Sequence, residues 1–358
     1  MLALTPPELV ELLVSLPADR TPFIWGPPGI GKSALVREAA DLGSLPCVTL
    51  LGTQIAPEDL IGVPRISRLG GEGGAFVTEF CPPRAILRSE PFLLFIDELN
   101  SAVPDVQKAF YSLILDRRLG DYTLPEGSRV VGAGNRVEDR ALVRPMATAL
   151  ANRMVHVALA PDAEAWLAWG AQNGVHALVL AFVRARPDRL FELPPTDATP
   201  AYPTPRAWHL LSDSIAVVGE RLWPALAAGS VGDRAGAEFT AFAKRALEAP
   251  SLDAIASGAA VPRDPELVYF LGASALARLG SNDPKDGELA AKVVAALGAS
   301  SKEVAVWTVD AALSKKRRTR ALDAFDDQIR TSASQILVDV LRLGRFAREG
   351  APGARSRP

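Results

Sequence analysis

The sequence predicts an α/β core built on a parallel sheet, followed by an α-helical lid and a C-terminal helical segment. Short apolar runs alternate with helical patterns over residues 1–160, which is typical of a parallel sheet covered by helices on both faces. The β pattern fades after Pro161, and alanine- and leucine-rich helical stretches dominate from there to Phe346. At 358 residues the chain is too long for one ordinary core, so two or three compact units are expected.

Proline-rich breaks divide the helical region further. They lie at residues 194–205 and 262–265, and proline interrupts helices because it lacks a backbone N–H and restricts the residue before it. The end of the chain is rich in glycine, proline and arginine, a composition typical of disorder. The expected parts are an α/β core at 1–160, a helical lid at 161–250, a C-terminal helical segment at 251–348 and a disordered tail at 349–358.

Five short apolar runs of the core are expected to be strands. The run Phe92–Ile96 is apolar on both faces, as a buried parallel strand should be. A helix is expected to begin at Pro104, because apolar side chains follow it at helical spacing. The other four runs are 23–25, 47–51, 129–133 and 155–158.

The pattern changes near residues 63–80. A glycine-rich turn at 70–74 lies between two short runs with β character. Glycine permits the backbone conformations that tight hairpin turns require. The sequence therefore predicts a hairpin inserted into the α/β core.

The overall composition limits the possible settings and partners. The chain carries 39 basic and 41 acidic side chains, and a net charge of −2 argues against a general nucleic-acid coat. Two cysteines are too few for a disulfide framework, which favours a reduced, cytoplasmic setting. The first residues lack the basic region of a signal peptide, and no stretch approaches the ~18 apolar residues of a membrane span.

The strongest chemical signal is a glycine-rich loop between the first predicted strand and the helix after it. It reads Gly26-Pro27-Pro28-Gly29-Ile30-Gly31-Lys32-Ser33, with Ala34 next, and it matches the pattern G-x-x-x-x-G-K-[ST]. Glycines let successive backbone N–H groups point at phosphate oxygens, and the helix adds its positive end. Lys32 is expected to hold the β- and γ-phosphates of ATP, and Ser33 to offer its hydroxyl to Mg²⁺.

Two strand ends supply the polar groups that phosphoryl transfer needs. Asp97 and Glu98 follow the buried run at 92–96, and buried carboxylates are costly without a partner such as a cation. Asp97 is expected to hold the water shell of Mg²⁺, and Glu98 to orient and deprotonate the attacking water. Asn135 follows the fourth predicted strand, where its amide could reach the γ-phosphate and that water.

Together these residues resemble those of AAA+ ATPases and, within that superfamily, of the MoxR group. The resemblance covers roughly residues 20–210. The combination and order of the motifs are specific to AAA+ proteins, whereas Ala56–Gly62 and the hairpin after it suggest the MoxR group. The matching pieces are Gly26–Ser33, Ala56–Gly62, Phe92–Asn100, Ala133–Arg136, Ala149–Arg153 and Pro203–Arg206.

The resemblance implies roles for three further side chains. Asn135 occupies the place of the residue called sensor 1, and Arg206 that of the lid arginine called sensor 2, which touches the γ-phosphate in cis. Arg153 follows a predicted helix and precedes the last strand, where such proteins place an arginine finger that enters the neighbouring subunit's site. Its rivals for this trans role are Arg117, Arg118, Arg136 and Arg144.

A trans arginine implies head-to-tail contacts between subunits, which close into rings. AAA+ relatives are usually hexamers, so a hexameric homo-oligomer is expected. In similar proteins an insertion like the hairpin faces the central channel or the substrate, which makes Arg65, Phe76 and Phe80 candidate contacts. The equally open alternative is a structural flap with both phenylalanines packed inward.

The resemblance also implies a biological role. MoxR-type ATPases are similar to chaperones that remodel or activate a partner, commonly together with a protein that carries a von Willebrand factor A domain. This sequence has no segment like that domain's Asp-x-Ser-x-Ser signature, so such a partner would be a separate polypeptide. Two alternatives stay open: a DNA-directed AAA+ motor, opposed by the near-neutral charge, and a nucleotide-gated scaffold with little turnover, opposed by Glu98 and Asn135.

Weaker signals have structural interpretations. His156 lies in a predicted strand and is expected to be a core residue with its hydrogen bonds satisfied. Trp166 and Trp169 share one face of a predicted helix, which favours packing over partner binding. The basic cluster at 315–320 is followed by aspartates and favours a solvated or subunit-contact face over a nucleic-acid site.

Overall fold

The computed structural model describes residues 1–68, 74–139, 146–193, 201–315 and 317–332. The chain forms two compact units, residues 1–162 and residues 163–358. Three features expected from the sequence lie wholly or largely outside the described residues: most of the glycine-rich turn at 70–74, the rival arginine Arg144 and the tail at 349–358. The division of the helical region at residue 250 stays a prediction.

The first unit contains a six-stranded sheet in which every strand pairs in parallel with its neighbours. The strands of this unit are β1 (Ala3–Leu4), β2 (Pro22–Trp25), β3 (Cys47–Leu51), β4 (Val63–Arg68), β5 (Phe76–Cys81), β6 (Leu93–Asp97), β7 (Arg118–Leu119), β8 (Tyr122–Thr123), β9 (Arg129–Gly134) and β10 (Val155–Leu159). The large sheet has the order β1-β10-β2-β9-β6-β3. The parallel sheet and all five predicted strands are therefore confirmed.

The sixth strand of the sheet, β1, was not predicted. It has two residues, Ala3 and Leu4, which pair with Ala158 and Leu159 of β10. A run of two residues carries no periodicity, so the sequence pattern had nothing to detect. Its position depends on the neighbouring strand rather than on a signal of its own.

Burial explains why β6 lies inside the sheet. Residues Leu93–Ile96 are at most 1% exposed, and β6 has β9 on one side and β3 on the other. A strand covered on both faces must be apolar throughout, because unpaired polar side chains are costly to bury. The polar residues Asp97 and Glu98 consequently come where the strand leaves the core.

Helices cover this sheet. They are α1 (Pro6–Ser15), α2 (Lys32–Leu42), α3 (Pro57–Ile61), α4 (Pro104–Asp116) and α5 (Thr148–Ala151). The helix predicted to begin at Pro104 is confirmed, and its side chains Val106, Phe110 and Leu113 are fully buried against the sheet. The helical spacing of these residues therefore determines which face of α4 packs inward.

The predicted hairpin is present as β4 and β5, which pair antiparallel from Val63 opposite Cys81 to Arg68 opposite Phe76. Phe76 is 67% exposed, so it does not pack inward, and the guanidinium of Arg68 lies 4.7 Å from its ring centroid. Phe80 is half-buried on the same face, close to Gly120. The two phenylalanines thus have different environments, and the flap interpretation fails for Phe76.

The second unit is helical in its described residues. Its helices are α6 (Ala163–Gln172), α7 (Ala177–Ala185), α8 (Pro205–Ile215), α9 (Trp223–Val231), α10 (Asp233–Leu247), α11 (Leu252–Ala256), α12 (Pro265–Arg278), α13 (Pro284–Ser300), α14 (Lys302–Leu313) and α15 (Arg320–Ser332). Trp166 is 8% exposed and lies in a core cluster, with Trp169 packed against it, so the packing interpretation of both is confirmed. Over the described residues, every helix is too short or too polar to pass through a bilayer.

Candidate nucleotide-binding site

The phosphate loop, residues 26–31, joins β2 to α2 and depends on its glycines. Gly29 and Gly31 have φ angles of 80° and 100°, in the left-handed region that favours glycine. A Cβ on Gly26 would lie 2.6 Å from Cδ1 of Ile30, which is too close for a side chain without rearrangement. The loop can therefore curl tightly enough for its backbone to face a phosphate group.

The backbone donors of this loop come from its second half. Pro27 and Pro28 have no N–H group, so they shape the loop and cannot donate to a phosphate. The N–H of Ala34 donates to the carbonyl oxygen of Gly31 at 3.0 Å, within the first turn of α2. The donors predicted to face phosphate oxygens are therefore those of Gly29, Ile30, Gly31, Lys32 and Ser33.

Lys32 points back into the curled loop. Lys32 is 8% exposed, and its Nζ donates hydrogen bonds to the carbonyl oxygens of Gly26 at 2.6 Å and Pro27 at 3.0 Å. Nζ also donates to Oδ1 of Asn135 at 2.8 Å. The structure thus brings together two residues that the sequence assigned to the same phosphate group.

Ser33 and Asp97 also meet. The hydroxyl of Ser33 donates to Oδ2 of Asp97 at 2.8 Å, and Oδ1 of Asp97 accepts the N–H of Glu98 at 3.0 Å. A hydroxyl and a carboxylate are hard oxygen ligands, and Mg²⁺ commonly takes one or two such groups and completes its shell with water and nucleotide phosphates. The donor set therefore fits Mg²⁺ bound together with a nucleotide.

Glu98 is held in an unusual backbone conformation. Its φ is 54°, in the left-handed region that residues with a Cβ adopt at a cost of about 1–3 kcal/mol. Oε2 of Glu98 accepts a hydrogen bond from the hydroxyl of Thr53 at 2.9 Å. Such strain is found mostly at functional sites, and here it turns the chain sharply where β6 ends.

Thr53 is a site residue that the sequence analysis left without a role. It lies in a 3₁₀ turn, Gly52–Gln54, directly after β3, and Leu51 of β3 pairs with Asp97 of β6. Neighbouring parallel strands end at the same edge of a sheet, so the residues that follow them are close in space. The order of the strands was the missing information, since β3 and β6 are not consecutive in the chain.

The side-chain amides of Asn100 and Gln107 hold the backbone of Asn135 in place. The Nδ2 of Asn100 donates to the backbone oxygen of Asn135 at 2.9 Å, and Asn100 is 2% exposed. Nε2 of Gln107 donates to the backbone oxygen of Asn100 at 3.3 Å. A Cβ on Gly134 would lie 2.0 Å from Oδ1 of Asn100, so glycine is required for this close approach. Asn135 therefore sits on a packed support rather than in an independent turn.

Arg153 lies at the surface between α5 and β10. One guanidinium nitrogen, Nη1, donates to the carbonyl oxygen of Ala149 at 3.0 Å, and the guanidinium carbon lies 5.5 Å from the ring centroid of Tyr111. The side chain is exposed, which a residue that reaches another subunit must be. Its trans role stays a prediction, because the described structure is a single chain.

One rival of Arg153 is excluded. The guanidinium of Arg117 donates to the hydroxyl of Thr21 at 2.9 Å and to the carbonyl oxygen of Ala18 at 3.0 Å, and burial lowers its pKa from the ordinary value. This side chain holds its own unit together, so assigning it a trans role would be wrong. Arg118 is exposed and Arg136 is half-buried, and both stay rivals.

Arg206 belongs to the second unit. It follows Pro205 at the start of α8, a helix capped by Thr204, whose hydroxyl accepts the N–H of Ala207 at 3.0 Å. The guanidinium is exposed. Its contact with the γ-phosphate stays a prediction.

The fold is that of an AAA+ P-loop NTPase: a parallel sheet in which the turn between β2 and α2 forms a phosphate loop, and in which β6, separated from β2 by β9, ends at Asp97 and is followed by Glu98. Residues 22–158 match the family model described as AAA domain (dynein-related subfamily), so this part of the chain is similar to AAA domains. The match spans well under half of the 358 residues. No curated protein matches the chain in sequence.

Solved structures with a similar arrangement are distant relatives. A Cytophaga hutchinsonii protein described provisionally as an ATPase is 18% identical over 50% of this chain, with a TM-score of 0.33, and this chain spans 62% of its length. The Thermotoga maritima RuvB Holliday junction branch migration motor is 18% identical over 72% of this chain and 80% of its own, with a TM-score of 0.36. Likeness at this level supports no conclusion about substrate or partner.

Proposed function

We propose that this protein hydrolyses ATP to ADP and phosphate with Mg²⁺, and uses that cycle to remodel or activate a partner protein. The observation that carries the ATPase proposal is the convergence of Lys32, Asn135, Ser33 and Asp97, joined by hydrogen bonds of 2.8 Å. These groups come from two strand ends, those of β6 and β9, and the start of one helix, α2. Their common position is where the phosphates of a loop-bound nucleotide would lie.

Each side chain in this group has a chemical task. The ammonium of Lys32 and the backbone N–H groups of the loop neutralise the β- and γ-phosphates. Ser33 and Asp97 would hold Mg²⁺, which would stabilise negative charge on the phosphate oxygens. Glu98 accepts a proton from the attacking water, with its carboxylate oriented by Thr53. Asn135 offers its amide to the γ-phosphate and the water.

The proposed active form is a homo-oligomeric ring, with Arg153 supplied by the neighbouring subunit. An arginine added in trans neutralises transition-state charge, and in GTPases such a residue accounts for about 10³–10⁵ in rate. The exposure of Arg153 and the exclusion of Arg117 support this assignment. A hexamer is the proposed size, by analogy with AAA+ proteins in general.

The proposed client is a protein, approached together with a separate von Willebrand factor A domain protein, as the resemblance to the MoxR group implies. The exposed hairpin side chains Ile66 and Phe76 give the first unit an apolar surface for a protein contact. The DNA-directed motor is the second candidate, and the net charge of −2 counts against it. The cytoplasmic location also remains part of the proposal.

The first test is the mass of Glu98→Gln protein by light scattering on a sizing column, with and without Mg-ATP. Removing the proton acceptor should trap ATP, and the trapped protein should shift to about six subunits if the ring model holds. Glu138→Gln, which changes an exposed carboxylate near Asn135, is the control and should hydrolyse ATP like the wild type. A monomer under saturating ATP would exclude the ring.

Subunit mixing tests the trans arginine. Arg153→Ala subunits keep an intact phosphate loop, and Lys32→Ala subunits keep an intact arginine, so each alone should be nearly inactive. A mixture should regain ATPase activity, because some neighbouring pairs combine a whole loop with a whole arginine. No recovery of ATPase activity in mixed rings would mean that Arg153 acts in cis or has no role in hydrolysis.

Adding duplex or single-stranded DNA to the same assay tests the alternative of a DNA-directed motor, which requires DNA to stimulate the ATPase activity.

A further inference from the structure

The side chain of His156 bridges two elements of the first unit. The indole N–H of Trp25 donates to Nδ1 of His156 at 2.9 Å. On the other side of the ring, Nε2 lies 2.7 Å from the carbonyl oxygen of Ala151. The expectation that this histidine has its hydrogen bonds satisfied is therefore confirmed, and both ring nitrogens are used.

These two partners select one tautomer of the ring. An indole N–H can only donate, so Nδ1 is the acceptor in this pair of hydrogen bonds. A carbonyl oxygen can only accept, so Nε2 is the donor. The two bonds therefore run in one direction, from Trp25 through the ring of His156 to Ala151.

Aromatic neighbours hold the ring in place. The Trp25 ring is nearly parallel to it, with centroids 5.9 Å apart and an interplanar angle of 20°, and the centroid of the Phe23 ring lies at 5.8 Å. The backbone adds a second constraint, because His156 pairs with Phe23 across β10 and β2. The imidazole therefore has a fixed position relative to β2.

The residues at the two ends of this bridge adjoin the proposed chemistry. Trp25 is the last residue of β2, next to Gly26 of the phosphate loop. Ala151 is the last residue of α5, two positions before Arg153. The bridge thus links the base of the phosphate loop to the end of α5, the helix that precedes the proposed trans arginine.

Arg153 depends on α5 for its direction. Its backbone N–H donates to the carbonyl oxygen of Leu150 at 3.1 Å, and Nη1 donates to that of Ala149 at 3.0 Å. Because α5 has four residues, it has too few internal hydrogen bonds to hold its own orientation. Its orientation therefore depends on tertiary contacts, among them the burial of Leu150 in the core and the hydrogen bond from His156 to Ala151.

We propose that His156 is a positioning residue for Arg153: its Nε2–H holds the end of α5 against β10, and the hydrogen bond from Trp25 to its Nδ1 ties that ring to the end of β2. This inference rests on the proposed ATPase with a trans arginine. It states that the hydrogen bond from Nε2 of His156 to Ala151 is needed for the full rate of ATP hydrolysis in the assembled protein. Binding of ATP by the loop does not depend on that bond.

Two substitutions separate the two hydrogen bonds. His156→Gln places an amide N–H near the position of Nε2 and can keep the bond to Ala151, whereas His156→Asn reaches only the position of Nδ1 and keeps an acceptor for Trp25. A third variant, Trp25→Phe, removes the indole donor and retains an aromatic ring. His156→Asn loses the hydrogen bond to Ala151, whereas Trp25→Phe loses the hydrogen bond between Trp25 and His156. All three variants change the same packed region.

We expect His156→Asn to lower kcat about tenfold, since misplacing a catalytic group by about 1 Å can cost up to about 10² in rate. KM for ATP, and the affinity for a fluorescent ATP analogue, should stay within about twofold of the wild type. His156→Gln should restore most of kcat. Equal kcat for the Asn and Gln variants, at equal thermal stability, would reduce His156 to a packing residue and overturn the proposal.

A double-mutant cycle with Arg153→Ala identifies the path of the effect. If His156 acts through Arg153, then His156→Asn should cause no further loss of kcat in the Arg153→Ala background. Independent, multiplicative losses would overturn the proposal. The controls test the proposed function separately from the role of His156. If the wild-type protein hydrolyses ATP, and both Glu98→Gln and Arg153→Ala hydrolyse it slowly, the proposals of an ATPase and of a catalytic Arg153 are supported. This holds for any result with the His156 variants.

Discussion

Nζ of Lys32 lies 2.8 Å from Oδ1 of Asn135, although 103 positions separate the two residues in the chain. The contact exists because β2 and β9 are neighbours in the sheet, with Trp25 of β2 opposite Gly134 of β9. The residues after both strands therefore emerge at the same edge. The lysine of the phosphate loop and the amide proposed to sense the γ-phosphate are already in contact through their side chains.

This contact predicts different defects for its two partners. Lys32→Ala should weaken ATP binding strongly, because the ammonium is the main positive charge of the loop. Asn135→Ala should leave ATP binding within a few-fold and lower kcat by about 10²-fold, as the loss of one transition-state hydrogen-bond donor does. Binding of a fluorescent ATP analogue and steady-state kcat measure the two effects. Asn152→Ala, at an exposed asparagine, is the control, and equal binding defects for Lys32→Ala and Asn135→Ala would contradict the assignment.

The hydrogen bond from Thr53 to Glu98 predicts a residue that tunes hydrolysis. Thr53→Val removes the hydroxyl with little change in shape, so the Glu98 carboxylate loses its orienting donor. We expect kcat to fall about tenfold with KM for ATP nearly constant, since the misplaced group is the proton acceptor and not a binding group. Thr53→Ser keeps the hydroxyl and should retain activity. A Val variant as active as wild type would show that this hydrogen bond does not orient Glu98.

The packing of Gly134 predicts a stability defect. An alanine Cβ at position 134 would lie 2.0 Å from Oδ1 of the buried Asn100. Asn100 in turn donates a hydrogen bond to the backbone of Asn135. Gly134→Ala should reduce the free energy of unfolding of the first unit by about 1–3 kcal/mol, the usual cost of overpacking. Gly43→Ala is the control, because its new Cβ would have no contact closer than 3.4 Å. Thermal unfolding followed by circular dichroism compares the two, and an undiminished Tm for Gly134→Ala would contradict the tight contact.

His176 predicts a pH dependence in the second unit. Burial lowers its pKa from the ordinary value of 6.5. Below that pH the unfolded chain binds a proton that the folded chain does not, so the free energy of unfolding falls as pH drops from 6.5 towards the lower folded pKa. Glu238 contributes in a lower window, because the hydrogen bond from Arg189 lowers its pKa below 4.5 and that stability is lost as pH falls further.

The test is the Tm of His176→Asn between about pH 8 and pH 5, the range in which histidine changes charge. Nδ1 of His176 accepts the N–H of Leu178 at 3.2 Å as the cap of α7, and asparagine is also a good cap, so stability at pH 8 should be close to wild type. The variant should lose less Tm than the wild type on acidification to pH 5. An equal loss for both proteins would assign the acid sensitivity to other groups.

Local patterns predicted the five main strands and several helices of the first unit, but not α1 or α3. The glycine loop, β6 and the helix from Pro104 each have a signal within a few residues: required glycines, a run apolar on both faces, or apolar side chains at helical spacing. The structure has β6 at Leu93–Asp97 and the helix at Pro104–Asp116. Where the local signal was absent, as in the two residues of β1, the prediction missed the element.

The chemistry of the candidate site was also local. A phosphate loop needs its glycines, lysine and serine in one order along the chain, and carboxylates after a buried strand have few alternatives to a cation. Lys32, Ser33, Asp97, Glu98 and Asn135 could therefore be named from the sequence by itself. Their chemical types follow from the residues, without knowledge of the neighbours.

Only the tertiary structure decided which of these residues are in contact, and which arginines are exposed and which are bound within the first unit. Thr53 meets Glu98 and His156 meets Trp25 because strands that are distant in the chain are adjacent in the sheet. Arg117, which follows α4, is tied to Thr21 and Ala18, which lie 96 and 99 positions earlier in the chain. Strand order is set by the packing of the whole sheet, and no short segment of sequence contains it.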